Sequence, residues 1–202
     1  MRLLHLSDTH NRHHELVNLP PADVIIHSGD VSMAGTPKEV MDFIEWFGGL
    51  DYKYRIFIAG NHDFCLAGKD PRRIRKFLPE NCFYLYASGV ELESVKFWGI
   101  PYFMSDEFIT KKYFAVLDAI PSDTDVLITH HPPYEILDFS GNIHSGCLDL
   151  LQKILEIKPK YHLFGHIHDA YGIKNSKHTS FINAAILNEN YTLKNEPALL
   201  KI

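Results

Sequence analysis

The segment Leu3-Leu4-His5-Leu6 runs directly into Ser7-Asp8-Thr9-His10, so a short apolar run ends in a polar tip. Apolar runs this short, closed by glycine or polar residues, are typical of buried strands. The same unit returns along the chain at 24–30, 56–63, 126–131 and 161–168. This repeated unit predicts a sheet whose strands end in chemically reactive side chains.

Helical patterns lie between these strands. Thr36-Pro37-Lys38-Glu39 has the form of a helix start with a capping box, and Gly48-Gly49 is a stop signal. The apolar stripe predicted for this helix is Val40, Phe43, Ile44 and Phe47. Further helices are predicted from Asp70 to about Pro79, over 107–120 and over 146–157, the last with Leu148, Leu151 and Leu155 on one face.

Strands that alternate with helices favour a largely parallel sheet. The segments 82–103 and 179–202 carry strand patterns without a helix between them, which indicates antiparallel additions. The pattern as a whole predicts an α/β fold with two packed sheets and helices outside. Each polar tip then lies at the carboxyl end of its strand, the edge of an open α/β sheet at which ligands bind.

The polar tips share one chemistry, since they offer carboxylate, imidazole and amide groups but no thiolate. Such a set of ligands suits Mn²⁺, Fe or Zn²⁺. The number of ligand side chains, seven, exceeds the number that one ion normally needs. Two ions that share a carboxylate would use the whole set, polarise a phosphoryl oxygen and lower the pKa of a water between them. Taken singly, Asp8-x-His10 and Gly29-Asp30 are more often turns or solvated groups than metal sites, and Gly60-Asn61-His62-Asp63 is compatible with a plain β-turn. Gly165-His166-Ile167-His168 is moderately specific, and the motifs together, all at strand ends, favour a metal site. The candidate metal ligands are Asp8, His10, Asp30, Asn61, His130, His166 and His168.

The composition narrows the class of protein. A chain of 202 residues with 46% hydrophobic and 22% charged residues predicts a single globular domain over 1–202. A net charge of -5 argues against dedicated nucleic-acid binding. Because no signal-peptide pattern or bilayer-length apolar run occurs and the three cysteines lack metal spacing, we expect a cytoplasmic protein without a membrane partner. The oligomeric state is left open.

Five short blocks together resemble the signature of calcineurin-like metallophosphoesterases. They are Asp8-x-His10, Gly29-Asp30, Gly60-Asn61-His62-Asp63, Thr129-His130 and Gly165-His166-x-His168. The second block departs from many members, which have a further Asp or Asn where Val31-Ser32-Met33 stands here. The segments 129–134, 136–138, 145–147 and 181–184 are similar to the small metallophosphoesterase-domain branch, the brain-type phosphodiesterases.

The resemblance implies a four-layer αββα sandwich of two mixed sheets flanked by helices. It also implies two metal shells that share Asp30. The first shell would be Asp8, His10, Asp30 and His168, and the second would be Asp30, Asn61, His130 and His166.

The resemblance further implies a catalytic pair. His62 would protonate or stabilise the leaving-group oxygen, and Asp63 would orient His62. The branch has glycine after its metal-ligating histidine, so His130 is the expected ligand and the adjacent His131 is expected to contact substrate. His5, His27 and His162 are expected in the core or behind the ligands.

The predicted function is a dinuclear metal-dependent phosphoester hydrolase that uses a water activated between its metals, with Mn²⁺ favoured and Fe or Zn²⁺ as alternatives. The first interpretation is a phosphodiesterase of small substrates such as cyclic nucleotides. A phosphomonoesterase, protein phosphatase or nuclease of the same superfamily, and a non-catalytic binding module, remain alternatives. Contact of His144 or the Arg72–Lys76 cluster with substrate is left open, with solvated positions favoured for both.

Overall fold

The computed structural model describes residues 1–67, 69–102 and 113–202. Its strands are β1 (Arg2–Leu6), β2 (Val24–His27), β3 (Tyr54–Phe57), β4 (Cys82–Tyr84), β5 (Ser88–Leu92), β6 (Val95–Ile100), β7 (Val126–Thr129), β8 (Phe139–Ser140), β9 (Ile143–His144), β10 (Tyr161–Phe164), β11 (Gly172–Asn175), β12 (Ser180–Asn183) and β13 (Ala198–Lys201). Its α-helices are α1 (Pro37–Gly49), α2 (Pro71–Arg75), α3 (Tyr113–Asp118) and α4 (Leu148–Ile157).

These strands form two mixed sheets and a small hairpin. The first sheet has the order β13-β1-β2-β3-β4, and the second has the order β11-β12-β10-β7-β6-β5. β8 and β9 pair with each other around the short turn at Gly141-Asn142. Helices cover the outer face of each sheet, which confirms the predicted αββα layers.

Successive side chains of a strand point to opposite faces of its sheet, and this alternation separates the hydrophobic cores. Leu4 and Leu6 of β1 face α1, where they join Phe43 and Phe47 in the first core. Leu3 points the other way and packs in a second core between the sheets, which also holds buried residues of β7 and β10. A third core joins β7 and β10 to α3 and α4. Strands buried on both faces require continuous apolar runs, which is the pattern that the sequence shows.

The local signals for α1 are confirmed. Thr36 caps the helix, and Glu39 closes the capping box. The predicted stripe of Val40, Phe43, Ile44 and Phe47 is the buried face. The other helices depart from expectation: α2 ends at Arg75 and buries no residue, so little packing extends it. The predicted residues 107–112 lie outside the described part of the chain.

Of two further expectations, one was wrong and one was right only in part. The buried face of α4 is Leu150, Ile154 and Ile157, whereas Leu148 and Leu155 are exposed. Both sets have helical spacing, and contact with the second sheet selects one of them. In the segments expected to be antiparallel, β5 and β13 are so, whereas β4 runs parallel to β3, β6 parallel to β7 and β12 parallel to β10. β11 is the third antiparallel strand of the two main sheets among the described residues.

Candidate metal centre

The carboxyl ends of five strands meet at one edge of the molecule. β1, β2 and β3 belong to the first sheet, and β7 and β10 belong to the second. The two edges are joined where the Ser7 amide donates to the Ala184 carbonyl at 2.9 Å. All seven candidate ligands lie on the segments that follow these strands, so the structure brings them together as the sequence predicted.

One group of ligand atoms lies around Asp8. The side chains of Asp8, His10 and His168 have potential ligand atoms that all lie within 4.8 Å of one another. The Nε2 atom of His168 is 3.5 Å from the Asp8 Oδ1 atom. Asp8 and His10 are buried, and His168 is half-buried beside the cavity. The three atoms can therefore converge on one ion.

A second group lies around Asp30, with the side chains of His130 and His166 in the same 4.8 Å relation. The Nε2 atom of His130 is 3.4 Å from the Asp30 Oδ2 atom and 3.0 Å from the Asn61 Oδ1 atom. The same Oδ2 atom of Asp30 is 3.6 Å from the Nε2 atom of His10. Asp30 therefore lies between the two groups, the position that a bridging carboxylate needs.

Backbone carbonyls fix the orientation of three of these imidazoles. The Nδ1 atoms of His10, His130 and His168 lie 3.2, 2.9 and 3.0 Å from the carbonyls of Ser32, Ser28 and Asn188. An Nδ1–H that donates to a carbonyl leaves Nε2 free to bind a metal. The Nε2 atom of His10 is buried and has no hydrogen-bond partner, so a bound cation would satisfy it. These donors fit a divalent transition metal.

The backbone is strained at the ligands. Asp8, His10, Asp30 and His166 have φ angles of 58°, 41°, 56° and 69°, in a region that non-glycine residues rarely adopt. Such conformations cost about 1–3 kcal/mol each and are concentrated at functional sites. The surrounding hydrogen bonds hold them, as where the Asp8 carboxylate accepts the His166 amide at 3.0 Å.

Two glycines make room for the carboxylates of Asp30 and Asp8. A Cβ atom at Gly60 would overlap the Asp30 carboxylate, and one at Gly165 would overlap the Asp8 carboxylate. Neither glycine has a positive φ. At Gly60 and Gly165 the absence of a side chain is therefore the requirement. Only at Gly29, with φ 104°, is the conformation itself the requirement.

The expected contact between Asp63 and the His62 ring does not form. The Nδ1 atom of His62 lies 2.8 Å from the Met33 carbonyl instead. Asp63 is fully buried and accepts the amides of Gly60 at 2.8 Å and Ser32 at 3.0 Å, together with the Ser32 hydroxyl at 2.6 Å. Asp63 therefore joins the loop after β2 to the loop after β3 by hydrogen bonds. Its described hydrogen bonds do not include the His62 ring, so it positions that residue through the backbone.

The buried charges of the centre depend on each other. Burial alone would raise the pKa of Asp8, but the hydrogen bond from His168 and the nearby imidazoles bring it below its usual value. Burial would lower the pKa of His130, but Asp30 and Asp8 raise it to about 9. Burial, with help from His130, lowers the pKa of His166 to about 3. The buried carboxylates of Asp8 and Asp30 thus stabilise a positive charge placed near them.

Three buried strand histidines stand behind the ligands. The Nε2 atoms of His5, His27 and His162 lie 2.8, 3.0 and 2.8 Å from the hydroxyls of Ser28, Thr9 and Thr129. Thr9 separates Asp8 from His10, Thr129 precedes His130, and the Ser28 carbonyl holds the His130 ring. Each histidine thus braces a segment that carries a ligand, as expected of residues behind the site.

The other candidates lie farther out. The His131 ring centroid is 4.7 Å from that of Tyr102 and 5.2 Å from that of His166, so its contact with substrate stays a prediction. The Nδ1 atom of His144 is 2.8 Å from the buried Asp138 carboxylate, which makes this histidine part of its own loop. Arg72 is exposed and pairs with Asp70.

A cavity of about 220 Å³ opens over the centre, and some of its walls were not anticipated. The Tyr191 ring lies 5.0 Å from the His10 ring and 5.2 Å from the His168 ring. Its carbonyl accepts Arg12 at 2.6 Å. Tyr191 comes from the turn after the last ligand block, where no motif marks it. The remaining unanticipated wall residues are Ser140, Ile167, Asp169 and Glu189.

No helix in the described residues has the length and apolar character to cross a membrane.

A family model described as calcineurin-like phosphoesterase matches residues 1–170. The human metallophosphoesterase domain-containing protein 1 is 34% identical, over all of this chain and 71% of its own length.

Two solved structures share the fold. The Thermus thermophilus protein TT1561 superposes with a TM-score of 0.67 at 14% identity, over 91% of this chain and 88% of its own. A protein described as a novel archaeal phosphodiesterase gives a TM-score of 0.51 at 16% identity, over 99% of this chain and 100% of its own.

Proposed function

Because the chain belongs to the calcineurin-like phosphoesterase family and is therefore a metal-dependent hydrolase of phosphoric esters, we propose that it is a dinuclear phosphodiesterase of small substrates such as cyclic nucleotides. The observation that carries the proposal is the position of Asp30. Its Oδ2 atom is 3.4 Å from His130 and 3.6 Å from His10, so one carboxylate serves both ligand groups.

The ligands divide between two ions around that carboxylate. Asp8, His10 and His168 would hold one ion, and Asn61, His130 and His166 would hold the other, with Asp30 between them. Two divalent ions would supply Lewis acidity at the phosphoryl oxygens and a water of lowered pKa. Nitrogen and oxygen ligands without thiolate favour Mn²⁺, with Fe and Zn²⁺ as the alternatives to compare.

His62 is the residue proposed to act on the leaving group. Its ring lies 4.7 Å from the His10 ring and lines the cavity. The Met33 carbonyl engages Nδ1 at 2.8 Å, which leaves Nε2 as the nitrogen available to substrate. A protonated His62 would donate from Nε2 to the departing oxygen, and the Met33 carbonyl would stabilise the imidazolium. Asp63 acts as a positioning residue for the loops that hold both groups.

The charge of the cavity favours a diester over a monoester. The described residues that line it include the carboxylates of Asp169 and Glu189 and no lysine or arginine. A phosphate diester carries one negative charge near neutral pH, whereas a monoester approaches two, as a phosphorylated side chain does. The rim carboxylates therefore oppose the monoester more strongly.

The same wall offers a surface for a base. Tyr191 is 40% exposed and lies at the cavity margin, where its backbone carbonyl accepts a hydrogen bond from Arg12. An exposed aromatic ring stacks on nucleobases with little sequence preference, and each such contact contributes about 1–3 kcal/mol. Tyr191 supports a nucleoside-containing diester as the substrate. The archaeal protein of similar fold is itself described as a phosphodiesterase.

A matched comparison of rates tests this proposal. Purified chain with Mn²⁺ is assayed on bis-p-nitrophenyl phosphate, p-nitrophenyl phosphate, a cyclic nucleotide, single-stranded DNA and a phosphopeptide. The proposal requires the highest kcat/KM on the small diesters, and Glu189→Gln should raise the monoester rate relative to the diester rate. Glu80→Gln changes an exposed carboxylate that does not line the cavity and is the control. A higher kcat/KM on the monoester, the phosphopeptide or DNA contradicts the diester assignment.

A further inference from the structure

A second cluster of metal-ligand side chains lies outside the catalytic cavity. The 3₁₀ turn His13–Glu15 follows the His10 segment and packs beside α1. The Nε2 atoms of His13 and His14 each lie 3.1 Å from the same oxygen, Oδ2 of Asp42. The ligand atoms of the three residues all lie within 4.8 Å of one another. We propose that His13, His14 and Asp42 bind a single Zn²⁺ ion at a surface site separate from the catalytic centre.

The spacing of the donors fits that ion. Bonds of about 2.0–2.1 Å in a tetrahedral site put neighbouring ligand atoms about 3.4 Å apart. The two observed separations of 3.1 Å need only a small adjustment to reach that spacing. Two imidazoles and one carboxylate form a common ligand set for Zn²⁺ with one position open to solvent. An all-oxygen ligand set would instead suit Mg²⁺ or Ca²⁺.

One ligand of the cluster, His13, is fixed by packing before any ion binds. His13 is fully buried, with its ring 5.0 Å from Trp46 and 5.7 Å from Phe43. Asp42 is on the same helix as these two rings, directly before Phe43 in sequence. A ligand fixed by packing loses little entropy when it binds a metal, and an apolar surround strengthens the bond to a charged ion.

The protonation state is also suitable. Burial, followed by the neighbouring His14, lowers the pKa of His13, so its imidazole is neutral at neutral pH. Neutral imidazole is the form that binds metal. The His14 and Asp42 side chains are 58% and 52% exposed, which gives the ion a direct path from solvent. The site thus combines one rigid buried ligand with two accessible ones.

Binding would tie the segment after His10 to α1. Asn11 already reaches the same helix through a hydrogen bond to Glu39. An ion on His13, His14 and Asp42 would add a second connection three residues beyond His10. Anything that binds only the folded chain raises its stability. Zn²⁺ is therefore expected to raise the melting temperature through this site in addition to its effect at the catalytic centre.

The test counts zinc by equilibrium dialysis of the full chain and of single variants. His14→Ala and Asp42→Asn change exposed side chains, and Glu45→Gln changes an exposed carboxylate of the same helix as a matched control. The proposal requires one Zn²⁺ fewer per chain in both variants, with Glu45→Gln unchanged from the original sequence. Equal zinc content in the original chain and Asp42→Asn would overturn it.

A second measurement separates this site from the catalytic one. In Asp30→Ala, the cluster on α1 should still bind one Zn²⁺, and adding Asp42→Asn should remove it. The zinc-induced rise in melting temperature should also be smaller in Asp42→Asn than in Glu45→Gln. If Asp30→Ala binds no zinc at all while remaining folded by circular dichroism, the zinc belongs to the catalytic centre alone and the proposal is wrong.

Discussion

The Nε2 atom of His130 lies 3.4 Å from the Oδ2 atom of Asp30, and the two residues follow strands of different sheets. Asp30 follows β2 in the first sheet, and His130 follows β7 in the second. The distance therefore depends on how the two sheets pack, and the core between them sets that packing. The geometry of the candidate metal centre therefore depends on the packing of both sheets.

Replacement of Asp30 by alanine should abolish hydrolysis and reduce bound metal. The substitution removes the only described carboxylate that lies within ion-pair distance of both His10 and His130. Metal analysis and a diester assay on the same preparation check this. Asp51→Ala, at an exposed loop position, is the control and should retain both properties. Wild-type metal content in folded Asp30→Ala would refute the bridging role.

Replacement of His62 by glutamine should lower kcat while metal stays bound. General acid catalysis typically contributes about 10²–10⁴-fold, and the loss should fall in that range. The His62 ring is close to His10 and Asp30, so a direct role as a metal ligand is the competing explanation. Metal loss as large as in Asp30→Ala would decide for the ligand role, whereas full metal content with reduced kcat supports leaving-group chemistry.

Replacement of Gly165 by alanine should weaken both folding and metal binding. The new methyl group would overlap the carboxylate of Asp8 and the hydroxyl of Ser7. Overpacking of this kind costs about 1–3 kcal/mol, and relief by moving Asp8 would disturb a ligand. Urea unfolding and metal titration measure the two effects. Gly49→Ala is the matched control, because nothing lies within 4 Å of its added methyl group. Equal behaviour of the two variants would contradict the steric account.

Replacement of His162 by glutamine should flatten the dependence of stability on pH in acid. Burial lowers the pKa of His162 from 6.5 to about 3. Between these two pH values, His162 is protonated in the unfolded chain and neutral in the folded chain. The stability contributed by the neutral form is complete above pH 6.5 and falls as the pH drops toward 3. Each such group adds about 1.4 kcal/mol per pH unit to the slope.

Urea unfolding of metal-free protein across this pH window checks the slope. His5 and His27 have pKa values lowered to about 3 by the same cause, so part of the slope should remain in the variant. His178→Gln removes an exposed histidine and should leave the slope unchanged. An equal slope in His162→Gln and the original chain would show that His162 titrates normally.

Local signals account for what the sequence predicted well. The capping box at Thr36 and the paired glycines define α1 without reference to the rest of the chain. The ligands were identifiable because each follows a buried run, and parallel strands in both sheets bring those ends to one edge. The two sheets were expected because strand patterns alternate with helical patterns along the chain. The three hydrophobic cores between the layers agree with that expectation.

Tertiary contacts decide what the sequence left open. Leu148 and Leu150 both belong to helical stripes, and the second sheet buries only that of Leu150. The Asp63 carboxylate could have reached His62, but the amides of Gly60 and Ser32 are better placed. Tyr191 reaches the cavity from a turn beyond the last motif, so its position follows from the path of the chain alone. Choices among equivalent local partners require the folded structure.

The most direct test of the central claim is a titration of metal-free chain with Mn²⁺ in which bound metal and diester hydrolysis are measured together. The Asp42→Asn variant is used, so that the surface cluster on α1 does not contribute. A centre joined by Asp30 predicts that activity reaches its plateau at about two bound ions per chain. A plateau at one ion per chain, or hydrolysis that persists without metal, would contradict a dinuclear centre.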